Sequence, residues 1–395
     1  MERRVAFGIM IAPGIGGGLQ SEYGSSIPPE PLLCKELCLA AVEQSMIAYA
    51  FSPADDFDRD TGRLSGYCYE KGAWSKRLVP LPDVVYDRSF HFRGDMRRAT
   101  AIALSLLQSV HPFKLLGRGL PSKLAVYEGL GKEGRIAAYL PPTALYQAFE
   151  QIDRLLSRGG DSGGVILKPA SGMQGRGLIR VEPSRSGKGF VAEGRARSNK
   201  PFSLSFSKRQ ALSDWLKAFT GESPFLVQPY LPLTDLHDRP YDIRVLMQKD
   251  GHGNWRRTGS AMRIGKADSI TSNLHGGGEA RPALDALSEN FGKPAAERLL
   301  RKIHTISGHT ATSLESCFGR FGELAFDFGV EKNGRIWMLE ANAKPGREAF
   351  RQIQDLNALK LSVLRPLSYA RYLVNRPEPA FKARESAYDH PAASQ

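Results

Sequence analysis

Three observations predict an α/β (α+β) fold built in several units. Apolar, strand-like runs alternate with helical segments across residues 1–112. A glycine-rich, basic stretch lies among short strands at 164–229. A β-hairpin at 323–347, ELAFDFGVEKNGRIWMLEANAKPGR, carries acidic residues apart from its apolar ones. Strands alternating with helices imply a largely parallel sheet, and a tight hairpin implies an antiparallel one.

In the first unit, 1–112, strands are expected at Val5–Ile11, Ser45–Phe51 and Val84–Tyr86. Helices are expected at Glu30–Glu43 and Asp95–Ser109. The N-terminus superficially resembles a signal peptide, but Pro13-Gly14 breaks the apolar run and no clear small-residue cleavage site follows. The glycines of Gly14–Gly18 miss the dinucleotide spacing, since Leu19 stands where the third glycine should be, so a plain turn is expected. Residues 113–163 should hold two helices, one opening at Pro121-Ser122-Lys123 and one at Thr143, with Gly159-Gly160 ending the second.

The β-rich unit at 164–229 begins with a strand, Val165–Pro169. The loop Ser171–Gly177 and a return strand at Leu178–Val181 follow. From Arg176 to Arg209 there are nine basic residues against two acidic ones. A solvated positive face accounts for this, and so does phosphate binding, because glycine backbone N–H groups beside a lysine suit phosphate oxygens. A helix at Ser207–Phe219 should start with a capping box of Ser207 and Gln210. Phe225–Leu231 is a strand leaving the unit. The last unit, 230–375, reads as a strand at Tyr241–Leu246, a long β-excursion to Arg263, helices within 281–316, the hairpin, and a closing helix at Glu348–Val374. The tail at 376–395 is polar and is expected to be disordered.

In the hairpin, Asn333-Gly334 is the strongest short turn signal. With these two as the turn, Lys332 faces Arg335, Val330 faces Trp337 and Asp327 faces Glu340. Alternation puts Asp327, Glu340 and Asn342 on one face and Leu324, Phe326, Phe328, Trp337 and Leu339 on the other. Opposed carboxylates repel, so something must compensate them. A divalent cation with hard oxygen ligands does so, and Mg²⁺ suits one or two carboxylates plus substrate phosphates. A solvated acidic strand edge is the plainer account, and the apolar opposite face argues against it.

The chain has 395 residues, 42% hydrophobic and 24% charged, which is ordinary globular composition. Its 54 Lys+Arg against 41 Asp+Glu leave +13, which favours anionic partners. The four cysteines form no CxxC, and Cys34 and Cys38 read as small core residues of a reduced, cytoplasmic protein. No apolar run is long enough to span a membrane. A nucleic-acid partner rests on net charge alone and ranks last.

The order of Lys123, Lys168 with its glycine loop, a hinge, the DxR and NxxxGG strings and Asp…Glu-x-Asn resembles the ATP-grasp superfamily. YDIRVL…AMR…SNLHGGG looks like its RimK-type amino-acid ligases. DVVYDR, the Lys123 helix and NAKPGR look most like the YheC/YheD group, described as endospore coat-associated. The resemblance covers about residues 80–350.

It implies a parallel N-terminal domain, a β-rich lid and a C-terminal grasp core with an antiparallel sheet. It implies that Lys123 and Lys168 contact ATP phosphates, and that the loop with Ser171, Gly172, Gly175 and Gly177 closes over them. Gln228, Tyr230 and Leu231 would form the adenine-side hinge. Asp327, Glu340 and Asn342 would hold Mg²⁺, which Mn²⁺ could replace. Arg244, Arg263 and Asn273 would stabilise and position the transferring phosphoryl group. Either Asp235 or Asp238 would meet the ribose, and Lys344 either meets a phosphate or is exposed. The implied partners are ATP, a carboxylate and an amine, the acceptor being a small molecule, peptide or acidic protein. The chemistry implied is carboxylate–amine ligation through an acyl phosphate, in a cytoplasmic or spore-associated setting. An inherited fold serving as a structural coat component is the alternative.

Overall fold

The apolar runs condense into three sheets in chain order. The structure, a computed structural model, describes residues 3–376 except 14–27, 29, 91–93, 159–162, 173, 174, 186, 268–271, 273, 275 and 276. The glycine loop Gly14–Gly18, the Gly159-Gly160 helix end, Asn273 and the tail beyond Arg376 therefore lie outside the described residues.

The first sheet contains β1 (Ala6–Met10), α1 (Pro31–Glu43), β2 (Ile47–Phe51), α2 (Pro53–Asp56), β3 (Phe57–Asp58), β4 (Arg63–Glu70), β5 (Ala73–Val79), β6 (Val84–Asp87), α3 (Gly94–Val110) and β7 (Lys114–Leu115). Its order is β3-β4-β2-β1-β6-β7, with β5 on β4. Strands β2, β1, β6 and β7 are parallel, as expected. The antiparallel hairpin β4–β5 extends the sheet and was not expected. Cys34 and Cys38 are buried on α1.

The second sheet is antiparallel throughout. Its elements are α4 (Lys123–Gly131), α5 (Gly134–Ala137), β8 (Ala144–Leu145), α6 (Glu150–Arg158), β9 (Val165–Pro169), β10 (Ile179–Pro183), β11 (Phe190–Arg195), β12 (Pro201–Phe206), α7 (Arg209–Thr220) and β13 (Phe225–Pro229). The order is β12-β11-β10-β9-β13-β8. Leu167, Val181, Ala192 and Val227 pack on Ile152 of α6 and Leu212 and Leu216 of α7. Alternation leaves Lys168, Arg180 and Gln228 on the opposite face.

Two expectations fail here. No helix starts at Thr143, because Ala144 and Leu145 pair with β13 instead. The helix waits until Glu150, where the Gln151 side chain accepts from the backbone N–H groups of Gln147 and Ala148. The capping box also fails. Lys208 is the N-cap of α7 without a side-chain bond, and Gln210 turns to Asp214.

The third sheet comprises β14 (Tyr241–Lys249), β15 (Trp255–Ile264), β16 (Glu279–Pro282), α8 (Ala283–Phe291), α9 (Lys293–Phe318), β17 (Glu323–Val330), β18 (Ile336–Asn342), α10 (Glu348–Gln352) and α11 (Leu356–Val374). The order is β16-β15-β14-β17-β18, all antiparallel. Helix α9 covers one face through Ile303, Ile306 and Leu314 against Val245, Phe326 and Phe328. Phe350 of α10 covers Leu246, Ala261 and Ala325 on the other. The expected single closing helix is broken. Gln354 has φ +53°, and the Asp355 side chain caps a new start by accepting from Ala358 N. Helix α11 then packs Val363, Leu367 and Ala370 with α1 and β1, which fastens the third sheet to the first.

Candidate functional site at the seam of two sheets

The hairpin turns differently from the expectation, yet delivers the expected pair. Its loop has three residues, Lys332, Asn333 and Gly334. Gly334 N–H donates to Glu331 O at 2.8 Å, and Gly334 sits at φ +85°, where glycine is favoured. The register is therefore shifted by one near the tip. Val330 faces Ile336, and Trp337 faces Gly329. Ile336 and Met338, not Trp337, join the core face. Arg335 covers Trp337 at 4.0 Å, and Glu331 accepts its indole N–H. A β-bulge at Leu339 then restores the register, and Asp327 faces Glu340 with Asn342 opposite Ala325.

Cations already compensate the carboxylates. Arg244, in register with Asp327, donates to both its oxygens at 2.8 and 2.7 Å. Arg263 reaches Asp327 at 2.9 Å and grips Asp242 through two bonds of 2.7 Å. Ser272 also donates to Asp242. Burial alone would raise the Asp327 carboxyl. The two guanidinium groups outweigh it and hold the group at about 2, fully ionised. Asn342 Nδ2 lies 3.4 Å from Asp327.

Glu340, at the rim, pairs with Lys123 at 3.0 Å. Burial disfavours the Lys123 ammonium, but Glu340 more than offsets this and keeps it charged. Lys168, across the seam on β9, donates to the Tyr127 hydroxyl at 3.1 Å. Together these groups present four cations against Asp242, Asp327 and Glu340, one positive charge in excess. Among the described residues no cluster of three or more His, Cys, Asp or Glu could hold a metal. The fitting donor set is Asp327, Glu340 and the Asn342 amide, hard oxygens of the kind Mg²⁺ takes. Both Asp327 oxygens are shared with arginine, so the fit suits an ion that arrives with its own anionic ligands.

The structure thus brings together Asp327, Glu340, Asn342, Arg244, Arg263, Lys123 and, through Tyr127, Lys168. Of the hinge residues, Gln228 stands on β13 of the second sheet, and Tyr230 and Leu231 follow that strand. Gln228 is buried and donates to Thr143 Oγ1 at 2.6 Å, so its side chain is taken by the residue before β8. Tyr230 N–H donates to Gly164 O, and its ring lies 3.9 Å beneath Arg180. Leu231 is half-buried beside it.

In the glycine loop, Ser171 and Gly172 are exposed, Met173 and Gln174 lie outside the described residues, and Gly175 and Gly177 have positive φ. A Cβ on Gly177 would stand 2.9 Å from Pro169 Cγ. Asp235 is engaged by Arg239, and Asp238 pairs with Lys332. Lys344 is not simply exposed. It binds Asp87 at 2.8 Å and Ser89 O at 2.6 Å.

Sequence reasoning missed Asp242 and Tyr127. The signal for Tyr127 was its place four residues after Lys123 on one helix, which puts both on one side. For Asp242 it was alternation with Arg244.

A β-rich sheet facing a second antiparallel sheet, with lysines and oxygen ligands at the seam, defines an ATP-grasp fold. The chain belongs to the family described as YheC/D like ATP-grasp, whose profile matches residues 113–373. It is 30% identical over 340 residues to the endospore coat-associated protein YheC of Bacillus subtilis (strain 168), covering 86% of this chain and 91% of that one. It is 29% identical over 322 residues to YheD of the same organism, covering 81% and 69%. Among solved structures, D-cycloserine synthetase DcsG superposes with a TM-score of 0.50 at 13% identity, covering 93% and 98%, a likeness of fold. Among the described residues no helix is long and apolar enough to cross a membrane.

Proposed function

We propose that the chain is a Mg-ATP-dependent carboxylate–amine ligase. The observation that carries this reading is the seam itself. Two carboxylates of one hairpin, Asp327 and Glu340, meet Lys123, Arg244 and Arg263, with Asn342 beside Asp327 and Lys168 of the facing sheet one hydroxyl away. An excess positive charge suits a nucleotide polyphosphate.

In the proposed reaction a substrate carboxylate oxygen attacks the γ-phosphorus of ATP, and ADP leaves. An amine nitrogen then attacks the acyl carbon, phosphate departs, the nitrogen loses a proton and an amide forms. The chain's part is positioning and charge neutralisation. Asp327, Glu340 and Asn342 would hold Mg²⁺ or Mn²⁺, which when bound neutralises phosphate oxygens. Lys123 on helix α4 and Lys168 on strand β9 would grip phosphates. Arg244 and Arg263, aimed by Asp327 and Asp242, would face the transferring group, and Asn273 would help position its oxygens. The backbone of Gln228, Tyr230 and Leu231 would line the base. The loop holding Ser171, Gly172, Gly175 and Gly177 would close over the phosphates and exclude water, which otherwise hydrolyses the acyl phosphate.

The division into 1–112, a linker to 163, a lid at 164–229, a catalytic unit at 230–375 and a tail belongs to the same proposal. So does a cytoplasmic or spore-associated setting, of which only the spore association rests on the relatives' names.

The test is ADP release against pools of amines, amino acids and acidic peptides, with mass spectrometry of products. Amine-dependent ADP release with an amide product is expected. Glu340→Ala should abolish turnover while the fold is kept, and wild-type turnover in that variant would sink the site. ADP release without amine dependence favours phosphorylation of an acceptor. One observation favours a structural coat role: both Asp327 oxygens are satisfied by arginine without any ligand. Failure of the wild type to bind Mg-ATP would favour that role.

A further inference from the structure

Helix α4 sets two side chains one turn apart on the same side. Lys123 reaches Glu340 of β18 at 3.0 Å. Tyr127 reaches both neighbouring sheets. Its hydroxyl donates to the Leu339 carbonyl of β18 at 2.5 Å and accepts from Lys168 Nζ of β9 at 3.1 Å. The same ammonium lies 5.0 Å from the centre of the Tyr127 ring.

Leu339 is the bulge residue, which has no opposite number on β17. A bulge residue drops out of the ladder, so its backbone needs a partner elsewhere. With the three-residue loop at the tip and Leu339 in the chain, it is by bulging out that Leu339 leaves Glu340, and not itself, opposite Asp327. The packing around Tyr127 does not require a hydroxyl. Tyr127 lines one cavity together with Leu120, Val126, Leu130, Met338 and Leu339, apolar neighbours that make no hydrogen bond to its hydroxyl through their side chains.

We propose that Tyr127 is a positioning residue of the nucleotide site. Its hydroxyl fixes the bulge that orients Glu340 and holds the Lys168 ammonium at the same point, so that a group on each sheet is set by one atom. This rests on the Mg-ATP reading and adds to it a residue that touches no substrate.

The test compares wild type, Tyr127→Phe, Lys168→Met and the double variant. Calorimetry measures Mg-ATP affinity and the Mg²⁺ concentration at half-saturation, and urea unfolding measures stability. Tyr127→Phe should lower Mg-ATP affinity about tenfold or more, as loss of a ligand's supporting hydrogen bond does, and raise the Mg²⁺ midpoint. In the Lys168→Met background the loss should be smaller, because one of its two routes is already gone.

Val126→Ala on the same helix removes packing without touching either bond. It should lower stability and leave the Mg²⁺ midpoint where it was. Wild-type affinity and midpoint in Tyr127→Phe, full additivity with Lys168→Met, or an equal midpoint shift in Val126→Ala would each overturn the proposal alone. A wild type that binds no Mg-ATP would overturn the nucleotide reading and this proposal with it.

Discussion

Replacing Glu323 by glutamine should destabilise the protein by about 3 kcal/mol. Glu323 opens β17 and is 3% exposed. Its carboxylate meets Arg347 at 2.6 Å, Arg88 at 3.2 Å, Gln248 at 3.0 Å and the Tyr86 hydroxyl. Arg88 has a second carboxylate in Glu30, at 2.7 and 2.8 Å. Arg347 is left only backbone carbonyls, those of Pro345 and Ser362, and the Tyr86 hydroxyl. Removing one partner of a buried pair costs about 3–5 kcal/mol. Glutamine keeps the shape and one acceptor, which places this change at the lower end.

At a urea slope of about 3 kcal/mol/M the midpoint falls by about 1 M, read from tryptophan fluorescence at pH 7. The pH dependence follows from the sign of the shift. Burial would raise the Glu323 carboxyl, but Arg347 and Arg88 outweigh it and hold it below the usual glutamate value. The stabilisation is therefore present above the unfolded value, about 4.3, and is lost as pH falls through the lower folded one. The gap between wild type and variant should persist at neutral pH and close in acid. A midpoint within about 0.3 M of wild type at pH 7 would refute the reasoning, and so would a gap indifferent to acid.

Three further outcomes are expected. Mg²⁺ alone should bind weakly and Mg²⁺ with a non-hydrolysable ATP analogue tightly, because Asp327 already shares both oxygens with arginine; calorimetry decides, and tight binding of the bare ion contradicts it. Gly177→Ala should loosen the loop and cost about 1–3 kcal/mol, since the residue sits at φ +76° with Pro169 Cγ 2.9 Å from the new methyl. Faster proteolysis within 171–177 and weaker nucleotide binding are the readouts, and wild-type values in both count against it. His304 on α9 is held neutral, its pKa pushed down to about 4 by burial and by Arg257. The unfolded chain takes its proton near 6.5, so stability declines as pH drops from there toward 4. His304→Gln should flatten that decline in urea midpoints taken between pH 7 and 5, and an unchanged slope removes His304 as its cause.

Long, strongly patterned elements were legible because one period dominated them. The runs behind β2 and β14 read as strands outright, and the run behind β1 did so once Pro13-Gly14 had argued against a signal peptide. The carboxylate pair was legible because opposed like charges demand an explanation. Elsewhere, tertiary contacts overrode local signals. The segment at 143–149 carries a helical stripe, but the free edge of β13 takes Ala144 and Leu145 into the sheet. Strands β11 and β12 were hidden by the basic residues that crowd 176–209. The arginine clasp on Asp327 could not be seen, because it depends on the order β15-β14-β17, which no local pattern encodes. The Lys344–Asp87 pair was hidden for the same reason, since Asp87 belongs to another sheet.

The bulge at Leu339 changes what the interval between Asp327 and Glu340 measures. A chain lacking Leu339 would run Met338 straight into Glu340, and the ordinary pleat would still set Glu340 opposite Asp327. The pairing of the two acids does not need the extra residue. What the shorter chain would lose is the out-of-ladder carbonyl held by Tyr127. The interval is therefore a ruler for the tether between the hairpin and α4, and counting residues between the two acids gauges that tether rather than the metal face.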